Sequence, residues 1–289
     1  MHKKGFVLTN AALEMEHDYS FFCAGLEFLR NYDIDTVEFF TDSKNAARYG
    51  KAVQDAGMEP LFLTAIAQKR SGFCRLCAED ENERRTSVEF TKNSLCDARN
   101  AGAARVIIQS GAYPKDPSRE GEAMDALCRS LHELSEYAGT DLVMHLEPCD
   151  RALDVRQLIG PTMQTYTLMK RLELPYENVR LTMDVAHIAE LFEDPISAIS
   201  LCKEYSSHVH LANCVLKSGA PLFGDKHPPF GYPDSCYTVA AAELVYEAIK
   251  KIYKDEELLI SMEMIHSGTI SLNYIQMLFD AVPWLYKQK

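Results

Sequence analysis

Short apolar runs rich in β-branched residues recur along the chain, and a longer stretch of helix-forming residues separates each run from the next. Eight of these runs have the length and composition of buried strands. They lie at residues 5–9, 35–40, 59–66, 105–110, 141–147, 179–184, 207–212 and 258–264. This regular alternation of strand and helix predicts an α/β protein.

The stretches between the apolar runs carry amphipathic patterns of helical period. The clearest lie at residues 87–103, 121–139, 195–205, 237–253 and 271–282. Gly102 and Gly139 are expected to stop the first two helices, because glycine readily adopts the conformation that ends a helix. Pro195 suits a first helical turn, where its missing N–H has no partner to lose.

Eight strand–helix units within 289 residues predict a single (β/α)8 TIM-barrel domain over residues 1–289. A doubly wound sheet is the alternative fold. That fold would usually carry a glycine-rich phosphate loop after an early strand, and neither GxGxxG nor GxxxxGK[ST] occurs in the sequence. We therefore favour the barrel.

The amino-acid composition and net charge argue against some classes of binding partner. The chain is 47% hydrophobic and 25% charged, which is typical of a soluble globular protein. Its formal net charge of -12 argues against nucleic acid as a substrate, since an acidic surface repels phosphate backbones. No apolar run approaches the roughly 20 residues that span a bilayer, so we expect no membrane partner.

The nine cysteines are odd in number and scattered, which is typical of reduced thiols in a cytoplasmic protein. Nothing in the sequence directs export. Cys74 and Cys77 form the one close pair, but no second pair of cysteines or histidines follows to complete a zinc site. We favour a chance pairing in a loop over a redox pair.

The last four predicted strands end in chemically capable residues, namely Glu147, Asp184, His210 and Glu263, which we call the rim cluster. In a TIM barrel the carboxyl ends of the strands meet at one face, where active sites lie. Three carboxylates and one imidazole are a ligand set for one divalent metal ion of the Mn, Mg or Co type, with Zn as a further candidate.

Side-chain alternation along the strands predicts what lies beneath the rim cluster. Because side chains on a strand alternate with period two, the residue two positions earlier shares the inward direction. Those residues are all polar: His145, Thr182, His208 and Ser261. A polar layer of this kind is what a metal site needs to orient its ligands.

Each rim residue taken alone has a simpler explanation. A lone Glu at a strand end is more often solvated, and a lone His is more often a hydrogen-bonded core residue. Asp184 precedes a helical stretch that it could cap, and we expect a single carboxylate to serve only one of the two roles. The occurrence of all four at consecutive strand ends favours the metal site.

The segments "HLEP", "MDVAH", "HVH" and "SMEM", in this order, resemble the xylose-isomerase-like TIM-barrel superfamily along essentially the whole chain. This group holds sugar and sugar-phosphate isomerases and epimerases, and also the endonuclease IV type of repair enzyme. The resemblance implies that the rim cluster binds one metal ion. In the ketose 3-epimerase branch it implies that Glu147 and Glu263 are also the catalytic acid–base pair.

The resemblance also implies a carbohydrate substrate, and often a homodimer or homotetramer. His187 matches the substrate-binding histidine of the epimerase branch, whereas Lys217 is the nearest cation to the position of that branch's arginine. Asp225 and His227 resemble the Asp-x-His element that binds another metal in the endonuclease branch. We favour a substrate-contacting loop there over a second metal site or a plain turn. Candidate substrate contacts at earlier strand ends are Glu38 and Gln109.

We therefore expect a metal-dependent sugar or sugar-phosphate isomerase or epimerase, in which two glutamates transfer protons next to a carbonyl. A lyase, dehydratase or C-glycoside-cleaving relative on the same site is the first alternative. An endonuclease IV-like phosphodiesterase ranks lower, because it needs further histidines at the ends of strands three and four, where Gln109 stands instead. A non-catalytic sugar-binding barrel ranks last.

Overall fold

Eight parallel strands close into a barrel in the computed structural model, which describes residues 2–72, 74–265 and 271–289. Neighbouring strands follow chain order, and the first strand closes the ring against the last. The strands are β1 His2–Val7, β2 Thr36–Phe39, β3 Glu59–Phe62, β4 Arg105–Ile108, β5 Val143–Leu146, β6 Val179–Asp184, β7 Ser206–Leu211 and β8 Leu258–Met262. The predicted TIM barrel is confirmed.

Helices surround the barrel in alternation with the strands. They are α1 Leu8–Ala11, α2 Tyr19–Leu29, α3 Ala46–Asp55, α4 Thr64–Ser71, α5 Glu81–Asn100, α6 Glu120–Ala138, α7 Thr162–Arg171, α8 Val185–Glu190, α9 Pro195–Cys202, α10 Val239–Ile252 and α11 Leu272–Ala281. Short 3-10 turns occur at Leu13–Glu16, Ser43–Asn45 and Pro117–Arg119. Each predicted helical stretch is present, with α6 ending just before Gly139 and α9 starting at Pro195.

Most predicted strands extend past the observed ones at their carboxyl ends, and two of them run into helices. The runs at 5–9 and 59–66 stop as strands at Val7 and Phe62, and the chain turns at once into α1 and α4. Leu8, Thr64 and Ala65 are nevertheless buried. Burial therefore continues past the strand, and an apolar run alone does not separate a short buried helix from a strand.

The predicted polar layer lies inside the barrel. His208 is fully buried, with Nδ1 3.0 Å from Thr182 Oγ1 and Nε2 3.1 Å from Ser261 Oγ. The buried ring of His145 packs edge-on against His208 at a centroid distance of 5.5 Å. Thr182, His208 and Ser261 make a hydrogen-bonded floor beneath the carboxyl ends of β6, β7 and β8.

All nine cysteines are described and none forms a disulfide. Cys77 is buried, and Cys74 is partly exposed. Across the described part of the chain, no helix combines the length and apolar character needed to cross a membrane.

Candidate metal and substrate site

The rim cluster converges around one nitrogen atom. His210 Nδ1 lies 2.8 Å from Glu263 Oε2 and 3.1 Å from Glu147 Oε1. Asp184 Oδ2 is 3.6 Å from the same nitrogen. One ligand atom from each residue lies within 4.8 Å of the others, and all four residues are buried.

This geometry suits a divalent cation better than a proton. Three buried carboxylates surround one imidazole, and Asp184 Oδ2 has no hydrogen-bond partner among the described residues. Buried carboxylates are costly unless a cation compensates them, and one proton on His210 cannot neutralise three. Burial alone would lower the pKa of His210, but Glu263 and Glu38 together raise it well above its ordinary value.

Glu38 holds the opposite edge of the same imidazole. Its Oε2 lies 3.1 Å from His210 Nε2, and its Oε1 lies 3.0 Å from His208 Nε2. Burial would raise the pKa of Glu38, yet the two histidines hold it well below its usual range. A carboxylate on the far nitrogen fixes the orientation of a metal-binding histidine.

The position of Glu38 corrects its predicted role as a substrate contact. The carboxylate is fully buried beneath His210 and does not line the cavity above the rim cluster. The side chain follows inward alternation on β2, which points it at the histidines of β7. In this position Glu38 contacts His208 and His210 and lies outside the cavity lining.

Asp184 divides its two oxygens between two tasks. Oδ1 accepts hydrogen bonds from the backbone N–H groups of Ala186 at 2.6 Å and His187 at 3.1 Å, which caps α8. Oδ2 faces His210. A helix cap needs a single oxygen, so the capping role leaves Oδ2 available as a candidate metal ligand.

His187 and the loop after β7 form one side of the cavity. His187 Nδ1 lies 3.1 Å from the Pro148 carbonyl, and its Nε2 lies 3.3 Å from Asp225 Oδ1. His227 Nε2 is 2.7 Å from the same Asp225 oxygen. Burial would lower the pKa of His227, but Glu263, Asp184 and Asp225 raise it to about 9. The structure thus brings three predicted contacts together beside the rim cluster.

Gln109 and Lys217, two further predicted substrate contacts, lie in different places. Gln109 lines the cavity and is buried, with Nε2 3.4 Å from Cys149 Sγ. Lys217 does not line it: its side chain is 65% exposed and pairs with Asp234 at 3.0 Å.

Two further residues at the cavity escaped the sequence analysis. Asn10 Nδ2 donates to Glu263 Oε1 at 2.6 Å, and its position just after the first predicted strand was the available signal. Lys69 lies 3.2 Å from Asp225 Oδ2. The overlong third strand hid Lys69, because α4 is the element that carries it to the cavity.

The cavity is small and has two kinds of wall. Its volume is about 210 Å³, below the range of roughly 300–1,000 Å³ that is common for drug-sized ligands. The apolar wall consists of Leu13, Leu63, Ala65, Ile66, Ile107 and Ile265. The polar wall includes Glu147, His187, His210, Asp225, His227 and Glu263. Such a cavity fits a compact molecule with an apolar face and several oxygen atoms.

Comparison with known proteins agrees with the fold. The family model described as xylose isomerase-like TIM barrel matches residues 26–268. No curated protein sequence matches the chain.

Solved structures of similar fold include enzymes of two kinds. A D-tagatose 3-epimerase-like protein is 17% identical with a TM-score of 0.69, over 98% of both chains. D-psicose 3-epimerase from Clostridium cellulolyticum H10 is 15% identical with a TM-score of 0.65, over 95% of this chain and 89% of its own. An AP endonuclease of family 2 from Brucella melitensis is 16% identical with a TM-score of 0.65, over 98% and 96%. At these identities the likeness concerns the fold.

Proposed function

Because the chain belongs to the xylose isomerase-like TIM barrel family, we propose that it is a divalent-metal-dependent isomerase or epimerase of a small ketose. The observation that carries the proposal is the pair Glu147 and Glu263, which flank one imidazole nitrogen at the floor of a small cavity. Two carboxylates in such positions can exchange a proton with a carbon atom held between them.

The rim cluster would hold the metal ion. When bound, the divalent cation supplies polarisation of the sugar carbonyl and stabilises negative charge that develops on its oxygen. Glu38 keeps His210 Nδ1 turned toward the carboxylates through its contact with Nε2. Asp184 keeps one oxygen for the same centre.

The two glutamates would carry the proton. One removes the hydrogen from the carbon next to the carbonyl, and the other returns a proton on the opposite face in an epimerisation. Burial raises the pKa of Glu263, but His210 and His227 outweigh this, and the pKa lies below its ordinary value. Glu263 is therefore ionised and able to accept a proton, and Asn10 fixes its other oxygen.

The cavity walls would orient the sugar. His187, Asp225 and His227 offer donors and acceptors to hydroxyl groups. The apolar wall packs against carbon-bound hydrogens and limits the access of water to the reacting carbon.

The charges at the cavity favour an unphosphorylated ketose. Lys69 and Arg70 are the cationic lysine and arginine among the cavity-lining residues that the structure describes. Lys69 pairs with Asp225, and Arg70 pairs through both terminal nitrogens with the buried Glu16. A phosphate group on the substrate would have to compete with these carboxylates for Lys69 and Arg70.

Deuterium exchange tests the proposed function. Manganese-loaded protein incubated in deuterated water with D-tagatose, D-psicose or D-fructose should label the carbon next to the carbonyl, as read by NMR. Glu263→Gln should lower the exchange rate at least ~100-fold, consistent with loss of a general base. Glu247→Gln, an exposed glutamate on α10, should retain it.

Elemental analysis separates the rival reactions. We expect about one metal ion per chain, because among the described residues the rim cluster is the one group of four candidate ligands, and each group of three shares a residue with it. About three zinc ions with cleavage of abasic DNA, and no exchange on the ketose panel, would replace the proposal with a phosphodiesterase. Exchange accompanied by loss of water from the sugar would replace it with a dehydratase.

A further inference from the structure

Lys69 reaches the cavity from the side opposite Asp225. It lies on α4, which follows β3, whereas Asp225 lies in the loop that follows β7. In a closed ring of eight strands in chain order, β3 and β7 face each other across the barrel. The ion pair of 3.2 Å between Lys69 Nζ and Asp225 Oδ2 therefore spans the mouth above the rim cluster.

The ammonium group keeps donors for a ligand. A lysine ammonium has three N–H donors, and over residues 2–72, 74–265 and 271–289 Asp225 is its one hydrogen-bond acceptor. The side chain lines the cavity and is 45% exposed. Two donors thus remain for oxygen atoms of a molecule in the cavity.

Asp225 holds the ammonium in position. The Asp225 side chain is only 7% exposed, and its second oxygen contacts His187 and His227. The Asp225 backbone N–H donates to Asp154 Oδ2 at 3.2 Å, which anchors the loop. Burial would lower the pKa of Lys69, but the charge of Asp225 raises it above its ordinary value, so the group stays cationic.

Arg70, the neighbouring cation, is committed elsewhere. Both of its terminal nitrogens bind Glu16, whose side chain is 1% exposed, and its guanidinium lies 5.3 Å from the ring centroid of Phe40. Arg70 therefore joins α4 to the turn that carries Glu16. Lys69, by contrast, pairs with a residue that lines the same cavity.

We propose that Lys69 is a specificity-determining residue that binds the hydroxyl groups of the ketose at the end remote from the rim cluster. This inference rests on the proposed function for the identity of the ligand. Asp225 acts as its positioning residue. Since the pair crosses the mouth, the sugar would lie between Lys69 above and the rim cluster below.

Two substitutions and a matched control test the assignment. Lys69→Met keeps the length of the stem and removes the donors, while Lys69→Arg restores donors in a different geometry. Lys51→Met is the control, because Lys51 is exposed on α3, pairs with Asp55 and does not line the cavity. Isothermal titration of D-tagatose, D-psicose and D-fructose into manganese-loaded protein measures affinity without requiring turnover.

Lys69→Met should weaken binding of the preferred ketose about 10- to 100-fold, the usual cost of losing hydrogen bonds to a charged group. Lys69→Arg should recover part of this loss, and Lys51→Met should bind like the wild type. In turnover, KM should rise more than kcat falls. Manganese content should stay unchanged in all three variants.

The inference fails if Lys69→Met binds the ketoses as tightly as the wild type, or if it loses manganese in parallel with sugar. It also fails if the wild type binds none of the three ketoses. Wild-type protein that binds a ketose but catalyses no deuterium exchange would overturn the proposed function alone. Weaker binding in Lys69→Met would then still support the assignment of Lys69.

Discussion

His210 separates two environments on one imidazole ring. Its Nδ1 faces the carboxylates of the rim cluster, and its Nε2 faces Glu38 inside the barrel. The contact on Nε2 makes Nδ1 the atom available to a metal ion, since a carboxylate on the far nitrogen sets both the tautomer and the basicity. Metal affinity should therefore depend on a residue that touches neither metal nor substrate.

Replacement of Glu38 by Gln should weaken metal binding about 10- to 100-fold, because the neutral amide no longer raises the basicity of His210. Competition with a chromophoric chelator measures the change. Glu27→Gln serves as the control, since Glu27 is exposed and pairs only with Arg30 at the surface. Equal metal affinity in Glu38→Gln and the wild type would contradict the role assigned to Glu38.

Glu190 is a buried carboxyl group without an apparent function. It is 2% exposed, and neither oxygen has a hydrogen-bond partner within the described ranges. Burial is the main cause that raises its pKa from 4.5 to about 8, with Asp225 and Asp150 adding to the effect against His187 and His227. The group is thus largely protonated at neutral pH.

This pKa makes folding stability depend on pH in a defined direction. A folded-state pKa near 8 against 4.5 unfolded means that the folded state binds the extra proton between these values. Stability is therefore lost as pH rises through this window, by up to about 1.4 kcal/mol per pH unit. Glu190→Gln removes the ionisation, so its stability relative to the wild type should increase from about pH 5 to about pH 8.

Urea unfolding of both proteins at several pH values in this window measures the difference. The gain should reach a few kcal/mol at the alkaline end. If the difference in unfolding free energy between the two proteins stays constant across this pH range, Glu190 titrates normally in the folded protein.

At the scale of elements, α3 packs unusually close to the end of α5. A Cβ atom at Gly50 would overlap the backbone carbonyl of Ala101, the residue that caps α5. Gly121 on α6 has open space at the same position, with no atom within 4 Å of an added Cβ. Gly50 and Gly121 therefore serve as a test position and its control for the effect of close packing.

Gly50→Ala should destabilise the protein by roughly 1–3 kcal/mol, because backbone cannot move aside as a side chain can. Gly121→Ala should be neutral or stabilising by about 0.4–1 kcal/mol, since it restricts only the unfolded chain. Chemical denaturation gives both values. Equal changes in stability in the two variants would show that helix propensity, and not packing against Ala101, determines the effect of substitution at Gly50.

Sequence patterns located the eight strands and five of the eleven helices that the described residues form, but not every end. The strands were visible because buried parallel strands are short and apolar, and the helices because one face is polar. The third strand was overextended because Thr64 and Ala65 are as buried in α4 as they would be in a strand. That error hid Lys69, whose position depends on the helical turn.

At the scale of the whole molecule, the site joins residues that are far apart in the chain. Asn10 binds Glu263 across 253 positions, and Glu38 meets His210 across 172. The rim cluster was predictable because the topology fixes where successive strands end. The Lys69–Asp225 pair was not, since contacts across a barrel leave no local pattern in the sequence.

Metal binding should consequently stabilise the entire barrel. A ligand that binds only the folded state adds about 2.7 kcal/mol when its free concentration is about 100 times Kd. Manganese should raise the melting temperature, and a chelator should reverse the change. Asp184→Asn should show a much smaller response, because it removes one charge from the rim cluster while Oδ1 can still cap α8. Equal responses would place the metal elsewhere.

The polar floor formed by Thr182, His208 and Ser261 has a consequence for folding fidelity. In a barrel covered on both faces, neighbouring strand alignments bury similar amounts of apolar surface, so hydrophobicity alone discriminates poorly between them. A slip of β7 by one residue would turn His208 and His210 outward, against the helices. Glu38 would then lose both of its histidine partners. A misaligned β7 would therefore leave buried polar groups unpaired, and this cost favours the native alignment over its neighbours.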